Sequence, residues 1–237
     1  MPVKYSSAEL TEFKEAAAKS AAELVQPGMI VGLGSGSTAA LAVAALGERV
    51  KKGLRIVGIP TSEQTAGQAR QLDIPLSDLG KHLKIDMTID GADEVELGTL
   101  SLIKGRGGAL LREKIVASAT SEFIIIVDET KLVDRLGAHD AVPVEVIPFG
   151  WQSTEARLRE LGGNPELRLR HDGQTYTTDG GHYILDCAFG AIPSAALLQE
   201  ELDRTVGVVE HGLFVGMASQ AVVAGPGGVK TLHRAKK

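Results

Sequence analysis

The chain reads as an α/β protein, a doubly wound parallel sheet with a smaller α+β unit near the C-terminal end. Three observations predict this. Short apolar runs alternate with helical patterns up to about residue 140, the order expected of a parallel sheet with helices on its faces. Two of those runs, Met29-Ile-Val-Gly-Leu33 and Phe123-Ile-Ile-Ile-Val127, are apolar throughout, as strands covered on both faces are. From about residue 141 prolines enter a strand and a hairpin turn follows, so a different kind of unit begins.

Residues from about Ala8 to Val25 place Leu10, Phe13, Ala17, Ala21 and Leu24 roughly on one helical face, and Gln26-Pro27-Gly28 stops the helix. Met29 to Leu33 is the first strand. Gly34-Ser-Gly-Ser-Thr38 follows, then an alanine- and leucine-rich helix to about Val50. Strand, glycine-serine loop and helix can collect a phosphate, because glycines admit the anion and helix-start N–H groups face it. The pattern lacks the lysine of the P-loop and the glycine spacing of the dinucleotide fingerprint. A plain tight turn explains it equally well. Leu54 to Ile59 forms a second strand ended by Pro60, and Thr61-Ser-Glu-Gln-Thr65 opens a helix with a hydroxyl cap. Ile85 to Ile89 leads into Asp90, and Leu100 to Ile103 into Lys104. Leu110 to Ala119 is a helix bearing Glu113, and Phe123 to Val127 ends at Asp128-Glu-Thr-Lys131.

Val142-Pro-Val-Glu-Val-Ile-Pro148 holds two prolines, which predicts an edge or bent strand. Gln152 to Leu161 is helical and stops at Gly162-Gly163. Glu166 to Arg170 alternates, Asp172-Gly173 turns, and Thr175 to Thr178 pairs back. His182 to Cys187 is a strand and Pro193 to Leu202 a helix. The small unit is thus placed at 141–206 and the larger domain at 1–140 with 207–237. Gly212 to Val215, Ala221 to Ala224 and Val229 to Leu232 are expected to return as strands to the larger domain, and the tail Arg234 to Lys237 to fray.

The 237 residues, 43% apolar and 23% charged, suit an ordinary globular protein with a sizeable core. A net charge of −5 argues against general nucleic-acid binding. The single cysteine, Cys187, rules out an intrachain disulfide and fits a reducing cytoplasm. No secretory pattern opens the chain and no apolar run is long enough to span a bilayer. No two of the six histidines have metal-ligand helical spacing, and there is no Gly-x-Ser-x-Gly elbow.

The chemistry gathers between Ile85 and Glu113. Asp90 and Asp93 follow one apolar run, Lys104 ends another, and Glu113 lies on the helix beyond a glycine-rich turn. Open α/β sheets bind ligands at such strand ends. The bland alternative makes the aspartates caps and the other two surface charges. The aspartates could also hold Mg²⁺, although a nearby lysine would compete with the ion. The remaining reading is acid–base chemistry on a small phosphorylated metabolite. Glu113 is the base, and Asp90, Asp93 and Lys104 hold hydroxyls and polarise a carbonyl. It needs no cofactor.

These residues, in this order, resemble the A type of ribose-5-phosphate isomerase. The stretches that carry the resemblance are Gly32-Leu-Gly-Ser-Gly-Ser-Thr-Ala39, Thr61-Ser-Glu-Gln-Thr65, Asp90-Gly-Ala-Asp-Glu94, Lys104 to Ala117 and Val127-Asp-Glu-Thr-Lys131. Val142 to Pro148, Tyr183-Ile-Leu-Asp186, Gly207-Val-Val-Glu210 with Gly212-Leu-Phe214, and Gly228 to Leu232 match as well. The resemblance implies a Rossmann-like domain and a small domain of ferredoxin-like order. It implies interconversion of D-ribose 5-phosphate and D-ribulose 5-phosphate through an enediolate, without metal or cofactor, in the non-oxidative pentose phosphate pathway. It places the base on Glu113 and substrate contacts on Asp90, Asp93 and Lys104. The phosphate falls to Ser35, Gly36, Ser37 and Thr38 with Lys131 and Lys14. Gly91, Ala92, Gly105, Arg106 and Gly107 complete the expected substrate-binding set. A cytoplasmic homodimer or dimer of dimers is expected, with no nucleic-acid or membrane partner.

Three positions depart from the resemblance. Arg106 stands where glycine is usual, and points to solvent or clips the anion. Thr178-Asp-Gly-Gly-His182 replaces a segment commonly holding asparagines, and His211 replaces asparagine. Two rivals use the same scaffold, a sugar-phosphate sensor and a coenzyme A transferase or aminosugar-phosphate deaminase. A sensor would need a DNA-binding helix-turn-helix, and a single helix precedes the first strand.

Overall fold

The computed structural model describes residues 5–235. The chain divides into two units, one of Met1–Gly91, Ile115–Lys131 and Ala218–Lys237, the other of Ala92–Lys114 and Leu132–Met217.

In the first unit, helix α1 (Ser7–Glu23) starts at a capping box. The Ser6 hydroxyl accepts from the Glu9 N–H, and the Glu9 carboxylate accepts from the Ser6 N–H. Its alanine face, Ala17, Ala18, Ala21 and Ala22, is buried and lets the helix lie close to the sheet. The strands are β1 (Ile30–Leu33), β2 (Val57–Pro60), β3 (Ile85–Asp90), β6 (Thr120–Asp128), β13 (Gln220–Gly225) and β14 (Gly228–His233), in the order β14-β13-β6-β3-β1-β2. All pair in parallel except the terminal β13–β14 hairpin. Helices α2 (Ser37–Lys51) and α3 (Glu63–Gln71) follow β1 and β2. The predicted second strand starts three residues late, and Pro60 is its last rung, opposite Leu33. A proline is tolerated there because β2 is an edge. The tail is held at Arg234, whose guanidinium donates to the Ala218 carbonyl; Lys236 and Lys237 lie outside the described residues.

Strand order reverses between β1 and β3, since β2 lies outside β1 and β3 on its other side. The loops that leave adjacent strands in opposite directions at such a point open a crevice at their carboxyl ends. Here those loops are Gly34 to Thr38 and Asp90 to Gly91.

The second unit holds β8 (Val142–Val146), α5 (Trp151–Glu160), β9 (Asn164–Leu167), β10 (Tyr183–Ala188), α6 (Ala195–Asp203) and β11 (Val208–His211). The strands form an antiparallel sheet in the order β11-β8-β10-β9, the βαββαβ arrangement expected for the small domain. A second sheet has the order β12-β5-β4-β7, built from β4 (Glu94–Glu96), β5 (Leu102–Ile103), β7 (Leu132–Val133) and β12 (Leu213–Phe214). Helix α4 (Leu110–Ser118) contributes its first half to this unit and its second half to the other.

Two sequence expectations are corrected here. The second unit exceeds 141–206, because Ile103, Val133, Leu136 and Leu213 share one apolar core with Val142, Val144, Leu185 and Cys187. The 212–215 strand therefore belongs to this unit, not to the parallel sheet. The proline-bearing strand β8 is also interior rather than an edge. The β11 ladder ends at His211, opposite Val144, and the next residue, Gly212, donates its N–H to the Pro143 carbonyl while its own carbonyl accepts from Lys104 rather than needing an N–H from Pro143. The unusual Thr178 and His182 serve the buried Glu145 of β8, which accepts from the Thr178 hydroxyl at 2.8 Å and lies 2.9 Å from His182 Nδ1.

Gly212 also fixes the backbone of Lys104. The Lys104 N–H donates to the Gly212 carbonyl at 2.9 Å. A Cβ on Gly212 would lie 2.1 Å from the Lys104 carbonyl oxygen and 2.7 Å from Pro143 Cδ. Backbone cannot yield as a flexible side chain does, so Gly212→Ala is expected to destabilise the protein by at least about 1–3 kcal/mol. Chemical denaturation reads this directly, and an unchanged midpoint would contradict the close approach.

Candidate active site

In the first unit the chain leaves β1 through Gly34 and enters α2 at Gly36, which caps the helix with φ 94°. That conformation suits glycine, and it leaves the N–H groups at the helix start facing outward without a side-chain cap. Such a helix start attracts anions. Gly36 and Ser37 are exposed and Thr38 half-buried. Ser35 is engaged differently. Its hydroxyl meets those of Thr61 at 2.7 Å, Ser62 at 2.8 Å and Thr65 at 3.1 Å. Thr61 and Thr65 in turn donate to the carbonyls of Leu33 and Gly34. Ser62, the cap of α3, accepts from the Thr65 N–H. Four hydroxyls thus lock the loop after β1 onto the start of α3.

Asp90 closes β3 and is fully buried. Its Oδ1 accepts from the Ser35 N–H at 3.2 Å and the Gly91 N–H at 2.7 Å. Gly34 has no room for a side chain, because a Cβ there would fall 2.3 Å from Asp90 Oδ1 and 2.7 Å from its Cα. Lys131 ends the 3₁₀ turn after β6 and Lys14 lies on α1, both half-buried. Among the described residues no hydrogen bond or ion pair ties either to the Gly34–Thr38 loop.

In the second unit Lys104 and Glu113 form a buried pair, Nζ to Oε2 at 3.3 Å, with side chains only 3% and 4% exposed. Lys104 follows β5. Glu113 sits in the first turn of α4, where the helix dipole favours a carboxylate. Burying both charges is tolerable because each is paired. The ring of Phe214 adds to this, lying 5.6 Å from Lys104 Nζ and 5.0 Å from Lys114 Nζ. Asp93 is half-buried, and its Oδ2 accepts from the Arg106 N–H at 3.0 Å. It lines a polar cavity of about 320 Å³ together with Arg106, His139, Asp140, Arg168 and Asp186. The Arg106 guanidinium is mostly exposed and pairs with Asp140 at 3.2 Å. Gly105 is buried and Gly107 exposed.

Sequence reasoning passed over Glu94, the last acid of the Asp-Gly-Ala-Asp-Glu motif. It is buried and accepts from the N–H groups of Gly137, His139 and Asp140 at 2.6, 2.6 and 2.9 Å. It thereby shapes the loop that carries Asp140 to Arg106. Lys114 was also missed. Its ammonium binds Glu210 at 2.6 Å and the His211 carbonyl at 2.7 Å. Burial pushes its pKa down, with Glu210 opposing. His211 is buried, with Nε2 3.0 Å from Asp203 and Nδ1 3.2 Å from the Leu213 N–H. An Nδ1 that accepts from a backbone N–H marks the neutral ring protonated at Nε2. Burial, with the Lys114 charge adding to it, lowers its pKa from 6.5 to about 3. Asp203, Glu210 and His211 bring ligand-type atoms within 4.8 Å of one another, but Lys114 already serves there as the cation.

The first unit thus offers an uncapped helix start after a parallel strand, and the second a buried lysine–carboxylate pair. A sequence model of ribose 5-phosphate isomerase A (phosphoriboisomerase A) matches residues 57–228. The ribose-5-phosphate isomerase A of Gloeobacter violaceus is 60% identical over 224 residues, spanning 94% of this chain and 97% of that protein. Among solved structures, ribose 5-phosphate isomerase A of Methanocaldococcus jannaschii matches with a TM-score of 0.90 at 43% identity, over 94% of this chain and 98% of that one. A D-ribose-5-phosphate isomerase in complex with phospho-erythronic acid matches with a TM-score of 0.92 at 41% identity, over 95% and 99%. The chain belongs to the ribose-5-phosphate isomerase A family.

The neutral His211 carries a pH signature. Between pH 6.5 and 3 the unfolded chain holds a proton on this ring that the folded chain does not. Stability therefore falls as pH drops through that window, by up to about 1.4 kcal/mol per unit from this group. His211→Asn is expected to lack that part of the slope. Denaturation midpoints measured from pH 7.5 to 4.5 test it, and parallel profiles for the two proteins would contradict a neutral buried ring.

Proposed function

We infer that this chain interconverts D-ribose 5-phosphate and D-ribulose 5-phosphate through an enediolate, with Glu113 as the base. The observation that carries the reading is the buried Lys104–Glu113 pair at 3.3 Å, supported by membership of the isomerase family. A base for this reaction must take a proton from C2 of the open aldose and return it to C1. The same carboxylate can do both if it is held still and shielded from water. Lys104 supplies positive charge where the oxyanion develops, in a setting that excludes water and so strengthens the attraction. An ammonium in that place does what a metal ion would otherwise do, so the proposed reaction needs no metal. Asp90 and Asp93 handle the sugar hydroxyls and the ring-opening proton. Gly91, Ala92, Gly105 and Gly107 contribute backbone groups, and Arg106 sits at the rim.

The phosphate belongs to the loop Ser35 to Thr38 with Lys131 and Lys14. The outward N–H groups at the start of α2 support this, with Ser35 acting through the hydroxyl network that shapes the loop. One relative binds phospho-erythronic acid, which supports a phosphorylated ligand. A homodimer or dimer of dimers in the cytoplasm completes the reading.

A coupled assay for ribulose 5-phosphate, run with and without chelator, tests the whole reading. Activity should survive the chelator, and its loss would return Asp90 and Asp93 to a metal. Glu113→Gln should lower turnover on the order of a hundredfold or more with binding retained; near-normal turnover would remove Glu113 as the base. Lys131→Ala should chiefly raise KM, and an unchanged KM would count against its phosphate role.

A further inference from the structure

Arg168, just beyond β9, does not belong to the expected site, yet it grips the loop that carries it. Its side chain is 14% exposed. The Nε donates to Asp186 Oδ2 at 2.8 Å, and Nη2 bonds Asp186 Oδ1. Nη1 faces the other way and donates to two successive loop carbonyls, Gly105 at 2.9 Å and Arg106 at 3.0 Å. The guanidinium also lies over the ring of Tyr176, 5.9 Å from its centroid, and the Tyr176 hydroxyl donates to the next carbonyl, Gly107, at 3.4 Å. Three consecutive carbonyls are therefore held by two side chains. At Gly108, with φ 80°, a Cβ would fall 2.2 Å from the Tyr176 hydroxyl oxygen.

We propose that Arg168 is a positioning residue for the isomerase reaction, holding the Gly105–Gly107 carbonyls so that Asp93 and Lys104 keep their places. The inference rests on the isomerase reading given above. The segment from Gly105 to Gly108 contains three glycines, and glycine loses more conformational freedom on ordering than any other residue. Left alone, such a loop samples many shapes. With its carbonyls turned toward Arg168, the Arg106 N–H is presented to Asp93 Oδ2 at 3.0 Å. Lys104 enters the same loop and Glu113 leaves it, so the loop's shape sets both ends of the catalytic pair. The Arg168 charge is matched by Asp186 in a two-pronged pair, so it adds little net attraction for an anion. A lysine could not reproduce the arrangement, because one ammonium cannot serve a carboxylate bidentately and two carbonyls on the opposite side.

Arg168 also lines the cavity beside Asp93, so direct contact with substrate is the competing role, and the kinetics separate the two. For Arg168→Met we expect kcat to fall at least about tenfold, as a displaced catalytic group does, with KM within about twofold. A rise in KM with kcat preserved would overturn the proposal in favour of substrate contact. Amide hydrogen exchange on the protein without substrate gives a second readout. The 104–110 segment should exchange faster in Arg168→Met than in the wild type, while β13 is unchanged. Wild-type exchange in that segment would also overturn the proposal. This measurement involves no turnover, so an inactive wild-type protein would sink the isomerase reading while leaving the clamp to be judged on exchange. If Arg168→Met does not fold, Asp186→Asn and Tyr176→Phe carry the same test, each removing part of the clamp. Faster 104–110 exchange supports the proposal, and wild-type exchange in both variants overturns it.

Discussion

The structure is built around one unfavourable act, the burial of an ammonium and a carboxylate together. Lys104 and Glu113 are withdrawn from water almost completely, and the idealised desolvation of two such ions is far larger than their attraction repays unless the geometry is held closely. Much of the second unit can be understood as that restraint. Gly212 presses its backbone against that of Lys104, the start of α4 supplies a dipole for Glu113, and Phe214 offers its ring to the lysine. The loop between the pair, rich in glycine, is pinned by carbonyls on one side and by Asp93 on the other. Removal of either charge would break this buried pair, so the second unit depends on the contact.

The motif Asp90-Gly-Ala-Asp-Glu94 shows how one short sequence can serve three structures at once. Asp90 gathers the loop after β1, Asp93 receives the N–H of Arg106, and Glu94 collects three N–H groups from residues 137–140. The three acids differ in what approaches them, not in chemistry. Gly34 permits the first approach by lacking a side chain. The glycine-serine loop and the aspartate are therefore one construction, because the backbone that would meet an anion is shaped by the carboxylate behind it.

The larger features were readable because they rest on local patterns. Unbroken apolar runs gave parallel strands, and Lys104 and Glu113 stood out as charges at element ends on either side of a glycine turn, although nothing local showed that they would pair. What could not be read depends on distant partners. The prolines of β8 suggest an edge or a bend because proline lacks an N–H, but the strand is interior, and the Gly212 carbonyl beside Pro143 is taken by the distant Lys104 N–H. The limits of the second unit were misjudged because short strands such as Leu213–Phe214 carry no periodic signal, and only the shared core with Ile103 and Val142 assigns them. Glu94 was legible as part of a motif but not as a receiver of N–H groups. Nothing local to Ser35 directs its hydroxyl toward Thr61 and Thr65 rather than outward. Arg168 showed no signal at all, since a single arginine beside a hairpin is usually a solvated charge.

The parallel sheet has a consequence for synthesis on the ribosome. Strand β6 pairs with β3 on one side and β13 on the other, yet residues 129–219 are made between β6 and β13. At about 5–20 residues per second, the nascent Ile124-Ile125-Ile126 edge waits roughly 5–20 s for its neighbour. An apolar strand with an unpaired edge is a template for other chains. The interval in which this protein is most exposed to aggregation is thus set by where the second unit is inserted, and not by the stability of the finished molecule.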